Sequence, residues 1–257
     1  MKVVILAGGY GTRIRDVADD IPKPMIPIGP FPIIWHIMKH YASYGHKEFI
    51  ICLGYKGQVI KDFFMNYEAF TRDFTIAFGN GDTSFHSDNN ESDWKVTLTD
   101  TGLRSMTGSR ISKIKQFIGD EDFMLTYGDG VSDIDINKLI TYHKQHNKIL
   151  TVTGVRPPGR FGEMMIDGNG KVVAFNEKPQ ASAGRISGGF FVASPKIFNY
   201  VSNNKDLVFE QEPIHNLVRD NELMMFKHDG FWQPMDTSRE YTLLNSLYEK
   251  GTAPWIR

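Results

Sequence analysis

The sequence predicts an α/β fold: a mainly parallel mixed sheet flanked by helices, with a smaller antiparallel portion in the second half. Three observations carry that expectation. Short β-branched apolar runs alternate with segments of helical period as far as Val155, the pattern of parallel strands joined by right-handed crossovers. The first of these runs, Lys2–Leu6, ends directly in glycines, as a buried strand does. Beyond Val155 two strand-like segments flank Asp167-Gly168-Asn169-Gly170, a hairpin signal.

The elements follow in order. After the strand at 2–6, Ile34, Ile37, Met38 and Tyr41 recur at helical spacing and Gly45 suits the end of that helix. Glu48–Leu53 is the next strand, and Gln58–Tyr67 a helix with Val59, Phe63 and Tyr67 on one face. Trp94–Thr99 alternates apolar and polar residues like a half-exposed strand. Ser109–Ile118 is expected as helix, Phe123–Tyr127 as strand, Ile136–His146 as helix and Ile149–Val155 as buried strand. Gly162–Asp167 and Lys171–Phe175 form the hairpin, and Ile186–Ala193 is a further strand. The last helices are expected at Pro195–Val201, Glu210–Arg219 and Ser238–Lys250. The polar stretch from Asn80 to Asp93 is the most loop-like part and reads as a mobile insertion. No repeat, low-complexity tract or linker divides the 257 residues, which are expected to form one unit.

Composition narrows the function classes. The chain carries 29 Lys+Arg against 30 Asp+Glu, a formal net charge of −1 with eight His counted neutral. Such a balance gives no bulk pull towards nucleic acid or an anionic membrane. Apolar residues make up 41%, yet no apolar run approaches the ~20 residues of a spanning helix. Val3–Ala7 is also too short for a signal-peptide core. One cysteine, Cys52, allows no internal disulfide and no cysteine-rich zinc site. The sequon Asn90-Glu91-Ser92 therefore reads as chance, and the chain is expected in the cytoplasm, in reducing surroundings. His36 and His40 stand four apart on a helix without a Glu partner and read as packing or surface residues, and Trp232 and Trp255 as core or subunit contacts.

The chemistry begins where the first strand ends, in Leu6-Ala7-Gly8-Gly9-Tyr10-Gly11-Thr12-Arg13. Ligands of open α/β sheets bind beyond the carboxyl ends of strands. Three glycines in four positions let backbone N–H groups approach phosphoryl oxygens. Thr12 adds a hydroxyl donor, and Arg13 a planar cation that forks onto phosphate. A tight turn between strand and helix would also use glycines. The loop is neither a Walker A loop, lacking Gly-Lys-Ser/Thr, nor a dinucleotide fingerprint, lacking the third glycine. Further on, Pro22-Lys23-Pro24 stiffens the backbone and holds the lysine outside a helix. Gly128-Asp129-Gly130 suits a turn or a metal-holding carboxylate, and Asp236 a helix N-cap or a second such carboxylate.

Together these segments resemble the sugar-1-phosphate nucleotidylyltransferases, whose pattern is a first strand, Leu-Ala-Gly-Gly-x-Gly-Thr-Arg, then Pro-Lys-Pro. The resemblance extends over the chain through Tyr127–Gly130, Gly159–Gly162, Glu177-Lys178-Pro179 and Met235-Asp236-Thr237. It implies a Rossmann-like fold with a nucleotide-binding part at about 1–150 and a sugar-phosphate-binding part at about 151–257. Trp35–Lys39, Gly54–Gly57, Met106-Thr107-Gly108 with Arg110, Thr126–Asp133, Gly230–Thr237 and the closing Glu249–Trp255 narrow it to the cytosine-using branch.

What the resemblance implies is Mg²⁺-dependent transfer of a cytidylyl group from CTP to a hexose 1-phosphate, glucose 1-phosphate foremost, giving CDP-glucose for deoxysugar or polysaccharide synthesis. A sugar phosphate is already a deprotonated nucleophile, so alignment and charge neutralisation carry the reaction. On this resemblance Arg13, Lys23 and Asp129 are the catalytic residues. Leu6 to Arg13, Lys23, Ser105, Arg110 and Gly128 bind nucleotide, with Arg110 donating to the cytosine acceptors. Gly162, Glu177, Lys178 and Gly189 receive the sugar phosphate, and Asp129 and Asp236 hold the metal. A homo-oligomer is also implied. The competing readings are a thymidylyl- or uridylyltransferase and a non-catalytic nucleotide-sugar sensor. The sensor would have lost the aspartates or cations that this chain keeps. A near-neutral chain binding two anionic substrates must concentrate its positive charge, at Arg13, Lys23, Arg110 and Lys178.

Overall fold

A computed structural model of the chain describes residues 1–11, 14, 20–88, 90–157, 163–166, 171–176 and 184–256, with the side chains of 163–166 and 174–176 excepted. Strand β1 (Val3–Leu6) is followed by a 3₁₀ turn at Lys23–Met25, the short pair β2 (Pro27–Ile28) and β3 (Phe31–Pro32), and helix α1 (Ile33–Ser43). Next come β4 (Glu48–Leu53), α2 (Gly57–Met65), α3 (Tyr67–Thr71), β5 (Phe74–Ala77), β6 (Asp82–Phe85) and β7 (Lys95–Asp100). Helices α4 (Thr107–Lys113) and α5 (Lys115–Ile118) lead to β8 (Phe123–Tyr127), β9 (Gly130–Ser132), α6 (Ile136–His146) and β10 (Leu150–Val155). The remainder holds β11 (Glu163–Ile166), β12 (Val172–Asn176), β13 (Ile186–Ala193), a 3₁₀ segment at Pro195–Asn199, α7 (Glu212–Arg219), β14 (Leu223–His228), β15 (Trp232–Pro234) and α8 (Ser238–Glu249).

Seven strands form the central sheet in the order β14-β10-β13-β8-β1-β4-β7. β1 pairs in parallel with both β4 and β8, and β4 in parallel with β7. β13 runs antiparallel to β8 and β10, whereas β14 runs parallel to β10. Only β13 is therefore reversed, and the sheet is mainly parallel, as the sequence predicts. The chain moves outward from β1 through β4 to β7 and then returns to the other side of β1 as β8. This reversal makes β1 the switch point, where a crevice opens beyond the carboxyl ends of β1, β4 and β8.

Alternation along β1 assigns each side chain to a face. Val3 and Ile5 join a core with Ile33, Ile34, Ile37, Met38 and Tyr41 of α1, while Val4 and Leu6 join a second core with Ile111, Ile114 and Phe209. Cys52 is fully buried in that second core, where burial pushes its thiol up to about 12 and leaves it inert.

Several elements differ from the sequence reading. The stretch 80–93 contains β6, which pairs antiparallel with β5, so part of it is hairpin rather than loop. Lys23 opens a 3₁₀ turn instead of standing outside any helix, with the Met25 amide donating to Pro22 O. The helix expected at 109–118 is broken at Ile114 into α4 and α5, and the one expected at 195–201 is 3₁₀. Among the described residues, no helix is long and apolar enough to cross a membrane.

His36 and His40 are packing residues, and both are buried. His36 Nε2 donates to Ile28 O at 2.9 Å, while its Nδ1 accepts from Trp255 Nε1, a donor only. A second ring proton would oppose the Trp255 N–H, and burial holds the imidazole down at about 4. Because the folded value is depressed, acid favours the unfolded chain. The contribution is whole above the ordinary 6.5 and is lost as pH falls towards 4. Urea unfolding should accordingly show a stability loss of roughly 2–3 kcal/mol from this group between pH 7 and pH 4.5. His36→Gln should shrink that loss, and an unchanged pH dependence in the variant would contradict the assignment.

Candidate active site

The glycine segment after β1 is held by three hydrogen-bond contacts, donating in the first and accepting in the others. The Ala7 amide donates to Cys52 O at 3.0 Å, and the Tyr55 amide to Gly8 O at 3.2 Å. Arg110, from α4, completes the hold and is only 4% exposed. Its Nη1 donates to Leu53 O at 2.8 Å and to Thr101 Oγ1 at 2.7 Å, and its Nη2 donates to Gly8 O at 3.0 Å. With Gly8 O drawn towards β4, the loop's other edge faces the crevice. A Cβ at position 8 would lie 2.3 Å from the Arg110 guanidinium carbon, so any larger residue there would have to displace that side chain from its contacts. Burial lowers the Arg110 pKa, and Cys52 and Asp100 partly offset it.

The crevice is a cavity of about 360 Å³, a size suited to a small-molecule ligand. Leu6 through Gly11, Lys23, Ser105, Arg110, Gly128, Asp129 and Asp236 all line it. The structure therefore brings together, from five separate parts of the chain, every predicted nucleotide and metal residue that it describes. Gly189 lines a neighbouring cavity of about 50 Å³ that shares Tyr127 and Asp129 with the first. Its φ is +74°, and a Cβ would meet the Tyr127 ring at 2.4 Å. Thr12, Arg13, Gly162, Glu177 and Lys178 lie outside the described residues.

Lys23 lines the cavity between the two aspartates. Its ammonium donates to Asp129 Oδ2 at 2.6 Å and to Asp236 Oδ1 at 2.5 Å, with the lysine side chain 11% exposed. Burial pulls the ammonium down, but the two carboxylates outweigh it and leave its pKa above the ordinary value. The aspartates converge although 106 residues separate Lys23 from Asp129 and 213 separate it from Asp236. A miniature sheet explains this. β9 begins one residue after Asp129, β15 ends two residues before Asp236, and the pair is antiparallel with Gly130 opposite Pro234. The Met235 amide also donates to Asp129 O at 2.8 Å.

Asp236 does not cap α8, one of the two roles its sequence position allows. Thr237 is the N-cap, and its amide donates to the Glu240 carboxylate at 2.7 Å in a capping box. Asp236 is thereby left pointing at Lys23.

The donor set fits Mg²⁺. Two carboxylate oxygens already meet at one cation, and Mg²⁺ takes one or two carboxylates with the rest of its shell from phosphate and water. No cluster of three or more His, Cys, Asp or Glu suited to a self-sufficient metal cage occurs among the described residues.

Sequence reasoning gave Met106 and Thr107 only as part of a family motif, with no place in the site, and missed Leu103 and Arg104. Leu103, Arg104, Met106 and Thr107 line the cavity, with Leu103 and Met106 53% and 44% exposed. Tyr127 stood in the Tyr127–Gly130 motif but not among the expected site residues. Its hydroxyl donates to Glu210, whose other oxygen accepts from Thr107 Oγ1 at 2.8 Å. Ser105 is held by Lys113, whose ammonium donates to Ser105 Oγ at 2.9 Å and Thr101 O at 2.8 Å. Trp255 is buried in the core, whereas Trp232 donates to Gly188 O at 2.7 Å on the wall of the smaller cavity.

The chain is similar in sequence and in fold to several known proteins. The chain is 48% identical over 256 residues to a glucose-1-phosphate cytidylyltransferase of Salmonella typhi, covering 99% of this chain and 98% of that one. It is 43% identical to a probable glucose-1-phosphate cytidylyltransferase of Bacillus subtilis, covering 99% of each. In fold it resembles HddC from Yersinia pseudotuberculosis, with a TM-score of 0.69 at 24% identity over 96% of this chain and 99% of that one. The sequence profile of the nucleotidyl transferases matches residues 2–250. The chain belongs to the nucleotidyl transferase family.

Proposed function

We propose that the chain transfers the cytidylyl group of CTP to α-D-glucose 1-phosphate, forming CDP-glucose and pyrophosphate. One observation carries the reading: a glycine loop, Lys23, Asp129 and Asp236 converge in a single cavity at the switch point of the sheet. The functions of the relatives at 48% and 43% identity supply the nucleotide and the sugar.

In this reading an oxygen of the sugar phosphate attacks the α-phosphorus of CTP. The bond from that phosphorus to the β-bridging oxygen breaks, and pyrophosphate leaves. The nucleophile is an anion, so no residue need take a proton from it. The chain's task is to align two anions and absorb their charge. Backbone N–H groups from Gly8 to Gly11 cradle phosphoryl oxygens, and Lys23 neutralises the α-phosphate or the incoming sugar phosphate. Arg110 holds the loop and turns its remaining edge to the base, whose face rests on Leu103 and Met106. The sugar lies on the Gly189 side, with Tyr127 and Asp129 at the boundary between the two cavities. Arg13, Gly162, Glu177 and Lys178 complete the anion and sugar contacts. Asp129 and Asp236 would hold Mg²⁺, which would supply charge neutralisation at the phosphates. We place this activity in the cytoplasm, where CTP and sugar phosphates occur, in a homo-oligomer supplying deoxysugar or polysaccharide synthesis. The exposed Met65, Phe70 and Phe78 support self-association.

Pyrophosphate release across CTP, UTP, dTTP and GTP with several sugar 1-phosphates tests the reading. CTP with glucose 1-phosphate should give the highest kcat/KM. Faster turnover with UTP or dTTP would replace it by a uridylyl- or thymidylyltransferase.

A further inference from the structure

Lys23 stands where the proposed function needs a metal ion. Its ammonium lies within 2.6 Å of one oxygen from each carboxylate of the pair, and its side chain is largely enclosed. A divalent ion cannot share those oxygens with the ammonium without placing three positive charges within a few ångströms of one another. The stem that carries the ammonium is a flexible four-carbon chain. Its base is fixed by Pro22, Pro24 and the 3₁₀ turn, so the head group can swing while its root stays in place. Lys23 also lines the cavity that the phosphates are to enter, which gives the ammonium a second set of anionic partners within its own reach.

We infer that Lys23 is a resident counter-cation of the Asp129–Asp236 pair, excluding divalent metal until a nucleotide triphosphate draws its ammonium away. The inference rests on the metal reading of those two aspartates. Its consequence is ordered loading. The substrate-free protein binds free metal weakly, and the metal enters with the nucleotide or after it. Metal and nucleotide are then positively coupled through one lysine, and the coupling is reciprocal. The device gives two half-buried carboxylates a shared counter-charge in the resting protein. It also delivers one positive charge to the phosphates at the moment another is delivered to the carboxylates.

Mn²⁺ binding to the full chain, followed by electron paramagnetic resonance without substrate turnover, tests this. Without nucleotide, Lys23→Met should bind Mn²⁺ at least about tenfold more tightly than the wild type. Adding Asp129→Asn should cancel the gain. The gain should survive 0.3 M KCl, because removal of a blocking group is not screened as a distant charge is. Lys23→Gln serves as the second variant, and thermal unfolding verifies that each is folded. Equal nucleotide-free affinities in the wild type and both Lys23 variants would overturn the inference, as would a gain abolished by salt. CTP added without sugar phosphate separates the two levels. If it brings Mn²⁺ to the wild type in an Asp129-dependent manner, the metal reading stands even where the lysine inference fails. If Mn²⁺ binds none of the proteins with or without CTP, both fail.

Discussion

Asp129→Asn is expected to lower kcat by on the order of 10³-fold or more while leaving the protein folded. The substitution keeps the shape and removes one negative charge. In the resting protein Lys23 retains Asp236 as a partner at 2.5 Å, and the Asp129 side chain is 34% exposed. The stability change should therefore stay within about 1 kcal/mol. In the reacting complex no comparable substitute exists. Charge crowds at the α-phosphorus as the sugar phosphate approaches, and an amide oxygen holds Mg²⁺ far less firmly than a carboxylate oxygen. Pyrophosphate release gives kcat, and circular dichroism melting gives the fold. Turnover within tenfold of the wild type at saturating Mg²⁺ would show that Asp129 is not a metal ligand. A melting temperature lowered by more than about 4 °C would show that its main role is structural.

The residues that did and did not announce themselves separate along physical lines. The glycine loop was legible because one short segment holds both the strand that positions it and the glycines that let it approach phosphate. Asp129 was legible as a carboxylate at a strand end between two glycines. The meeting of Asp129 with Asp236 was not, because it depends on β9 pairing with β15, two strands of three residues each. Strands that short carry no period. The edge strand β14 was missed although Leu223–Phe226 is apolar, because Asn221-Glu222 before it and Lys227-His228 within it read as surface. The hairpin β5–β6 shows no buried face: every residue is exposed except the half-buried Phe85. Arg110 was expected as a donor to the cytosine base, and it does line the cavity. Its buried contacts with Leu53, Thr101 and Gly8 involve backbone carbonyls and a strand-end hydroxyl, which no motif records.

Those contacts determine what should happen when the guanidinium is removed. Arg110→Met is expected to cost only about 2 kcal/mol of stability, a modest figure for a residue 4% exposed. Two of the three acceptors it abandons keep another donor, and the third, Thr101 Oγ1, keeps its own bond to Leu53 O. Leu53 O still accepts from the Thr101 amide at 3.0 Å and the Thr101 hydroxyl at 2.7 Å, and Gly8 O still accepts from the Tyr55 amide at 3.2 Å. The protein is also relieved of a buried cation. Nucleotide binding should suffer far more, with KM for CTP rising on the order of 100-fold. Arg110 is the only described side chain that ties Gly8 O to the end of β4 while also lining the cavity. Without it the loop's N–H groups lose their aim, and the base loses a donor. Arg110→Lys separates charge from geometry. A point charge cannot hold Leu53 O, Thr101 Oγ1 and Gly8 O at once, as the planar fork does. The lysine variant should therefore resemble the methionine variant in KM for CTP. If lysine restores KM to within threefold of the wild type, the positive field alone suffices and the clamp on Gly8 is not what positions the nucleotide.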